Sequence, residues 1–285
     1  LWISKKIDGK NIYVAHSPER VLPGRVLVEL VNNDRVIGGL TKQCGYEAES
    51  LYRLFVKGEC HVTNARTAEL VKLTENAYRD TNIAFANEIS LVCDKLDIDV
   101  WDLIKLANRH PRVDILKPGP GVGGHCIAVD PWFIVDSAPE ETPLIQASRY
   151  VNDNKPAWLV QKILNSVDDN ATVSCLGLTY KSDIDDLRES PSITIVERLS
   201  QHHKGQILVA DPNIESLPDK LCKILNIEFC SFEDAILRSR IIILLTDHRE
   251  FIEIDKSILS NKKVFDTRGI WRSFLTSNNL ESIGD

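Results

Sequence analysis

A glycine-rich stretch followed by a cysteine and an aspartate carries the clearest chemical signal in this sequence. The stretch runs from Pro118 to Asp130. Glycine lets a backbone come close to a ligand. We predict that Cys126 stands where a helix begins, so that backbone amides and the helix dipole stabilise its thiolate. Asp130, four residues on, would then share a face with Cys126. A thiol and a carboxylate facing one pocket suit covalent catalysis with a positioned proton carrier.

Two other interpretations of this stretch remain open from the residues alone. Gly119, Gly121 and Gly124 satisfy the pattern G-x-G-x-x-G, which binds a dinucleotide only between a strand and a helix. Because Pro111 and Pro118 precede the glycines, the strand context is poor and this interpretation is disfavoured. Cys126 could also be an ordinary buried cysteine that follows a turn.

Two further segments carry residues that could act on a bound oxygen or proton. Lys72 and Asn76 are four residues apart in a helical pattern, so they could polarise an oxygen or hold a water together. The alternative is an ordinary solvated helix face. Glu19 follows a predicted strand, at the kind of position where α/β proteins place reactive groups. The alternative there is a simple turn at Pro18.

A fourth segment, 181–191, has the composition of an anion site. It follows a predicted strand, contains the cations Lys181 and Arg188, and ends in a Ser-Pro helix start. Such a segment could hold a diphosphate. The alternative is a solvated loop of mixed charge.

The composition limits the classes of protein that remain. The 285 residues are 43% hydrophobic and 26% charged, with a net charge of −7, as in globular proteins. An acidic chain without a basic stripe argues against a nucleic-acid partner, and no apolar run is long enough to span a membrane. Seven cysteines without paired spacing predict free thiols in a reducing, cytoplasmic compartment. The sequence has no C-x-x-C pair, and we predict no metal site.

The apolar periodicity predicts an α/β fold in three parts. These are the end of a Rossmann-like domain (1–60), a helical middle domain (61–153) and a doubly wound parallel α/β domain (154–285). We predict strands at 11–15, 35–39, 172–180, 206–210, 241–246 and 264–268. We predict helices at 47–55, 66–96, 100–108, 142–151, from 156 onward, 192–199 and 232–237.

Taken together, four motifs resemble the UDP-glucose/GDP-mannose 6-dehydrogenase family. In order they are S-P-E-R (17–20), A-E-L-x-K-L-x-x-N (68–76), G-x-G-G-x-C-x-x-x-D (121–130) and Y-K-x-D-x-x-D-x-R-E-S-P (180–191). Several motifs in one order are far more specific than any one alone. Within the family, the stretches 110–113 and 124–133 most resemble the branch that acts on UDP-N-acetyl-D-mannosamine.

The resemblance implies NAD as cofactor and a two-step oxidation of C6 of UDP-N-acetyl-D-mannosamine, in the synthesis of precursors for bacterial surface polysaccharides. Cys126 would carry the thiohemiacetal and the thioester. Lys72 and Asn76 would stabilise the oxyanion near Asp130, and Glu19 would be the base in thioester hydrolysis. The remaining roles implied are substrate binding by Lys117, Arg112, Gly121, Gly123, Gly124 and Lys181, and cofactor binding by Arg188. Because Arg112 would reach a neighbouring subunit's sugar site, at least a homodimer is implied.

Two departures from the family pattern bear on these expectations. Many members have a lysine immediately before the aspartate that matches Asp130, whereas this chain has Val129, as in the acetamido-sugar branch. The family also begins with a complete dinucleotide-binding domain, and no G-x-G-x-x-G precedes Asn11. We therefore expect most of that domain to be missing. The alternatives are a 6-dehydrogenase for UDP-N-acetylglucosamine or UDP-glucose, and an inactive nucleotide-sugar-binding fragment.

Overall fold

The computed structural model describes residues 12–21 and 25–275. The chain forms two compact units, Leu1–Ala77 and Tyr78–Asp285. The division between them falls inside the long helix that the sequence predicts. The three-part division at residues 60 and 153 therefore stays a prediction.

The first unit contains a three-stranded sheet in the order β1-β2-β3. Its elements are β1 (Ala15–His16), α1 (Val26–Asn32), β2 (Arg35–Gly39), α2 (Lys42–Tyr52) and β3 (Cys60–Asn64). Strand β1 is antiparallel to β2, and β3 is parallel to β2. Because α2 connects the two parallel strands, β2-α2-β3 is a βαβ unit, as expected for part of a Rossmann-like domain.

Two predicted elements of the first unit have other bounds in the structure. The strand predicted at 11–15 is reduced to Ala15–His16, because these two residues alone pair with β2; Asn11 lies outside the described residues. The helix predicted at 47–55 begins five residues earlier. Its start is fixed by Thr41, whose Oγ1 accepts a hydrogen bond from the backbone N–H of Cys44.

The long helix is confirmed as α3 (Ala65–Leu96). In the second unit it is followed by α4 (Val100–Ala107), α5 (Asp130–Ser137) and α6 (Pro143–Ser166). The prediction that one helix ends before Asn152 and another begins at Pro156 is wrong, because α6 continues through Pro156.

Buried contacts with α3 explain why α6 is not interrupted. A proline inside a helix removes one hydrogen bond and strains the turn before it. On the same turns, however, Asn152 donates to Asp80 and accepts from Asn87, and buried Lys155 donates to Ser90. Ending the helix would leave these buried polar groups without partners, at a cost of about 1–3 kcal/mol each.

The rest of the second unit is a parallel sheet in the order β6-β5-β4-β7-β8. The strands are β4 (Val173–Leu176), β5 (Ile207–Ala210), β6 (Ile227–Phe229), β7 (Ile241–Leu244) and β8 (Lys263–Asp266). The connecting helices are α7 (Pro191–His202), α8 (Phe232–Arg238), α9 (Arg249–Ile252) and a 3-10 turn at Lys256–Leu259. This order confirms the predicted doubly wound domain, with its switch point between β4 and β7.

Residues that alternate along these strands face two different cores. On one face Val173 and Cys175 pack with Leu159 of α6 and Ile195 of α7. On the other face Leu176 packs among residues of α8, Phe251 and Trp271. Burial on both faces explains why the strands are continuously apolar.

The state of the cysteines and the presence of membrane-spanning helices can be examined in the described residues. All seven cysteines lie in the described part of the chain, and none of them forms a disulfide. Between residues 12 and 275, outside the gap at 22–24, no helix has both the length and the apolar character needed to cross a membrane.

Candidate active site

In the first unit, Glu19 is an exposed carboxylate held by a buried arginine. Its Oε1 accepts from Nη1 of Arg35 at 2.9 Å and from the backbone N–H of Arg20 at 2.8 Å. The side chain of Glu19 is 54% exposed, whereas that of Arg35 is 3% exposed. The carboxylate is therefore fixed in place and still reaches solvent, as a general base requires.

The segment that carries Glu19 is tied to the part of α3 that carries Lys72 and Asn76. Arg20 forms an ion pair with Glu75 at 2.7 Å, one residue before Asn76. Lys72 is half-buried and Asn76 is buried. The structure thus brings the two predicted segments of the first unit together, with donor groups on the helix and a carboxylate on the loop.

In the second unit, the glycine-rich stretch packs against the loop 180–191. Gly121 and Gly124 have φ values of +150° and +85°, which side chains rarely adopt. A Cβ atom on Gly121 would lie 2.8 Å from Pro191, and one on Gly124 would lie 2.9 Å from the ring of Tyr180. Gly123 is equally confined, because its Cβ would lie 2.6 Å from that of Tyr180.

A backbone hydrogen bond joins these two loops directly. The N–H of Gly124 donates to the carbonyl of Arg188 at 3.0 Å. The other end of the stretch is also fixed, because Gly119 N–H donates to the buried Asn87 side chain at 2.9 Å. The glycines are therefore needed for the approach of one loop to another. Their predicted approach to a substrate stays a prediction.

Cys126 does not stand at the start of a helix, so this prediction is wrong. It lies in a turn, where its carbonyl accepts from the N–H groups of Val129 and Asp130 at 3.0 and 2.8 Å. Helix α5 begins at Asp130. A helix that began at Cys126 would place Pro131 in its interior, whereas proline fits only the first turn. Both Cys126 and Asp130 are half-buried.

The two cations of the loop 180–191 have different surroundings. Arg188 forms a bidentate pair with Asp186, at 2.9 Å from Nε and 2.6 Å from Nη2, and this pair lowers the pKa of the Asp186 carboxyl. Lys181 is exposed at the start of the loop. Tyr180 immediately precedes Lys181. Burial and then the negative charge of Asp186 raise the pKa of its phenol, which therefore stays neutral.

Two other predicted substrate residues lie on the segment that precedes the glycines. Arg112 and Lys117 are both exposed and lie outside any helix or strand. The segment is anchored by Asn108, whose side chain pairs with the backbone of Ile115 in both directions, at 2.7 and 2.9 Å. Both cations are therefore available to a ligand.

A cleft of about 670 Å³ borders the loop 180–191 on the side of α7. It is lined by residues 185–190, by Ile193 and Thr194 of the first turns of α7, and by residues 218–220. Its position at the carboxyl edge of a doubly wound sheet is one where such folds bind ligands.

Sequence reasoning missed a buried pair, Asp211 and His248, which follow β5 and β7. Their side chains are fully buried and lie 3.1 Å apart. His248 also belongs, with Asp183 and Glu250, to a group whose ligand atoms lie within 4.8 Å of one another. Its Nδ1 already accepts from Asp183 N–H and from the Asn213 amide, so we assign no metal there. The predicted absence of a metal stays a prediction.

The described residues fit one part of a dinucleotide-binding domain. At the end of β2, a Cβ on Gly39 would lie 2.4 Å from the backbone nitrogen of Gly45 in α2. Strand and helix therefore approach as closely as in the βαβ units of such domains. In residues 12–21 and 25–77 no glycine fingerprint G-x-G-x-x-G is present.

Comparison with known proteins places these observations in one family. Models of the three domains of the UDP-glucose/GDP-mannose dehydrogenase family match the chain in order. They are the NAD binding domain at residues 2–56, the central domain at 66–154 and the UDP binding domain at 174–273. The chain therefore belongs to this family, as the four motifs indicated. The NAD-binding match also confirms NAD as the cofactor of the family.

Curated relatives carry the names of two kinds of sugar dehydrogenase. The chain is 58% identical to the UDP-N-acetyl-D-mannosamine dehydrogenase of Campylobacter jejuni, over 86% of this chain and 60% of the relative. It is 54% identical to the NDP-N-acetyl-D-galactosaminuronic acid dehydrogenase of Ralstonia nicotianae, over 93% of this chain and 62% of the relative. The chain thus spans about three fifths of the length of these relatives.

Solved structures confirm the fold. The UDP-N-acetyl-mannosamine dehydrogenase of S. aureus is 43% identical, with a TM-score of 0.81 over 96% of this chain and 64% of that chain. The UDP-D-ManNAc dehydrogenase of Pyrococcus horikoshii is 38% identical, with a TM-score of 0.82 over 97% of this chain and 66% of that chain.

Proposed function

We propose that this chain is the thiol-bearing and substrate-binding part of an NAD-dependent nucleotide-sugar 6-dehydrogenase. Its substrate would be UDP-N-acetyl-D-mannosamine, oxidised at C6 to the uronate. One observation carries the proposal. The turn that holds Cys126 packs, through its glycines, against the loop that holds Lys181 and Arg188. A nucleophile, a cation for a diphosphate and a cation for the cofactor therefore lie on two loops that pack together within one unit.

The proposed chemistry assigns the oxidised carbon to Cys126. The C6 alcohol first loses a hydride and a proton and becomes an aldehyde. The thiol then adds to this aldehyde, with a new C–S bond and a proton on the oxygen, and the resulting thiohemiacetal loses a second hydride and its hydroxyl proton to become a thioester. Water then breaks the C–S bond, which releases the carboxylate and the thiol. Covalent attachment keeps the aldehyde from leaving between the two oxidations. NAD, when bound, would accept these hydrides, one NAD molecule for each oxidation.

The other proposed roles follow the chemistry of each side chain. Lys72 and Asn76 donate to the oxygen on which negative charge develops. Glu19 is the base for the attacking water, and Asp130 lies beside the thiol's turn as a proton carrier. The assignment of Glu19 as the base is supported by its carboxylate, which is held by Arg35 and is exposed to solvent.

Substrate and cofactor binding are assigned to exposed cations and to the glycine backbone. We assign Lys181 to the diphosphate, and Lys117 and the partner-reaching Arg112 to the sugar nucleotide. Arg188 is assigned to the cofactor; in the structure it is paired with Asp186. The backbone of Gly121, Gly123 and Gly124 completes the proposed substrate site.

The name of the Ralstonia relative supports a second candidate, an enzyme for an N-acetylgalactosamine series. The sequence also leaves open UDP-N-acetylglucosamine, UDP-glucose and an inactive nucleotide-sugar-binding fragment. These candidates differ in the sugar or in turnover. In all of them the ligand is a sugar attached to uridine diphosphate or to another nucleoside diphosphate.

Calorimetric titration of the chain with four UDP-sugars, without NAD, tests the proposal. We expect UDP-N-acetyl-D-mannosamine to bind at least about tenfold more tightly, a difference of about 1.4 kcal/mol, than the N-acetylgalactosamine, N-acetylglucosamine and glucose analogues. Equal binding of all four would refute the sugar assignment. No binding of any would refute the substrate site.

We also propose that the active form is at least a homodimer that uses α3. Tyr78, Phe85 and Val92 are exposed on this helix at seven-residue intervals, so they share one face and form an apolar stripe suited to a second copy. Analytical ultracentrifugation should show a dimer that dissociates in Phe85→Glu but not in Leu225→Glu, an exposed leucine elsewhere. A monomeric wild-type chain would refute this proposal.

The three remaining parts of the proposal concern the compartment, the biological role and the division into domains. The free state of all seven cysteines supports a reducing, cytoplasmic location. From the resemblance of the four motifs, we propose a role in making uronate donors for bacterial surface polysaccharides. The matched ranges of the three domain models support the division into a cofactor, a middle and a UDP-binding part.

A further inference from the structure

A buried carboxylate, Asp211, holds the first residues of the loop that follows β4. Its Oδ2 accepts from the backbone N–H groups of Leu178 at 2.7 Å and Thr179 at 3.0 Å. His248 lies 3.1 Å from the same oxygen. The other oxygen, Oδ1, accepts from Asn213 N–H at 2.8 Å. Both carboxylate oxygens of Asp211 are therefore used within the fold.

His248 holds the other end of the same loop. Its Nδ1 accepts from Asp183 N–H at 3.0 Å and from the Asn213 amide at 2.8 Å. Nδ1 must therefore lack a proton, and Nε2–H donates toward Asp211. Between the two ends, the Thr179 hydroxyl lies 3.1 Å from Nε2 and donates to the Lys181 carbonyl at 3.0 Å.

These contacts define a clamp, formed by Asp211 and His248, around the turn 178–183. The turn carries Lys181, whose side chain is exposed. It also carries Tyr180, against whose ring Gly124 packs. The clamp thus sets both the position of a cation and the surface that supports the turn of Cys126.

The usual role of an acidic residue at this place in the fold is different. In doubly wound folds that bind dinucleotides, an acid at the end of the second strand binds a ribose hydroxyl. Asp211 occupies that position, since it follows β5, but its oxygens accept four protein donors and its side chain is fully buried. Burial would raise the pKa of the Asp211 carboxyl, but His248 and the backbone donors lower it, so it remains an acceptor.

We propose that Asp211 and His248 are positioning residues, which hold the turn 178–183 so that Lys181 meets the diphosphate of the substrate. The clamp itself is argued from the contacts of the fold. The diphosphate part rests on the proposed function.

The first test measures the clamp without any ligand. Lys181 is a trypsin site inside the held turn, and the rate of cleavage after it can be followed by mass spectrometry. His248→Ala removes the acceptor of the Asp183 N–H and the contact with the Thr179 hydroxyl, so we expect cleavage about tenfold faster. Thr179→Val, which removes one bond within the turn and disturbs the core less, should accelerate it less. His248→Asn, which keeps an acceptor toward Asp183, should restore a rate near that of the wild type.

A matched control is available in the other buried histidine of this unit. His203 is buried. The one hydrogen bond described for its ring joins Nε2 to the Ala171 carbonyl at 2.7 Å. His203→Ala should lower stability without faster cleavage after Lys181. Unchanged cleavage in both His248→Ala and Thr179→Val would overturn the clamp, as would equal acceleration in His203→Ala.

The second test measures binding of UDP by calorimetry in the same variants. We expect about tenfold weaker binding in His248→Ala, weaker binding in Thr179→Val, and wild-type affinity in His203→Ala. Faster cleavage with unchanged UDP affinity would overturn the link to the diphosphate. If the wild-type chain binds no UDP, the proposed function and that link both fail, and the cleavage rates alone decide whether the clamp holds the turn.

Discussion

Replacing Cys126 by alanine is expected to lower the rate of uronate formation by about three orders of magnitude or more, since no covalent intermediate can then form. The affinity for UDP should remain, because the Gly124 and Tyr180 contacts do not involve the thiol. Chromatographic measurement of the uronate formed from UDP-N-acetyl-D-mannosamine and NAD gives the first quantity, and calorimetry gives the second. Cys126→Ala with wild-type turnover would refute the proposed chemistry.

Cys175 provides the matched control, because it is a buried core cysteine with no proposed role in the chemistry. It is fully buried in β4, and burial raises its pKa to about 12. Cys175→Ala should therefore cost about 1 kcal/mol of stability and leave turnover unchanged. Such a result would separate loss of a nucleophile from loss of packing.

A second readout for Cys126 needs no turnover. A bound UDP-sugar should slow the alkylation of Cys126 by iodoacetamide, because the substrate's C6 would lie at the thiol. Cys222, which is exposed, should react at an unchanged rate. Equal rates at Cys126 with and without the UDP-sugar would place its thiol away from the substrate.

The sequence predicted the elements whose cause is local. Helix α3 was predicted within one residue at its start, because residues 66–96 contain no glycine or proline and follow one apolar period. The strands β4, β5 and β7 were predicted because burial on both faces gives continuous apolar runs. However, β4 ends at Leu176 and β7 at Leu244, before the predicted ends at 180 and 246. Helix α6 was predicted as two, because the buried partners that stabilise it through Pro156 belong to α3, more than 60 residues away.

The residue types of the candidate site were predictable from the sequence, but their arrangement was not. The motifs show which residues could act as nucleophile, base or cation, whereas the structure shows that the glycine turn packs against the loop of Lys181. The clamp escaped prediction because Asp211 and His248 are 37 residues apart, and each looks by itself like an ordinary turn residue. The start of α5 at Asp130 could have been predicted from the sequence, because Pro131 fits a helix only in its first turn.

Replacing Arg149 by methionine is expected to lower the free energy of unfolding by about 3–5 kcal/mol. Arg149 on α6 and Asp80 on α3 are both buried and pair at 2.6 Å. Without the guanidinium, Asp80 would be a buried charge supported by Asn152 alone among its described partners. Urea unfolding followed by circular dichroism measures the loss. Arg238→Met, which breaks the exposed pair with Glu228, should cost less than about 1 kcal/mol.

The dependence on pH separates loss of the ion pair from loss of packing. Burial raises the pKa of Asp80 even beside Arg149, and removing the guanidinium should raise it further. A carboxyl whose pKa is raised by folding binds more protons in the folded state, so its cost grows as pH rises above the ordinary value of 3.8. The deficit of Arg149→Met should therefore be largest at neutral pH and shrink toward pH ~4. The double variant Asp80→Asn/Arg149→Met should recover most of the loss and lack this pH dependence. A deficit that is equal at both pH values would instead assign the loss to packing of the arginine side chain.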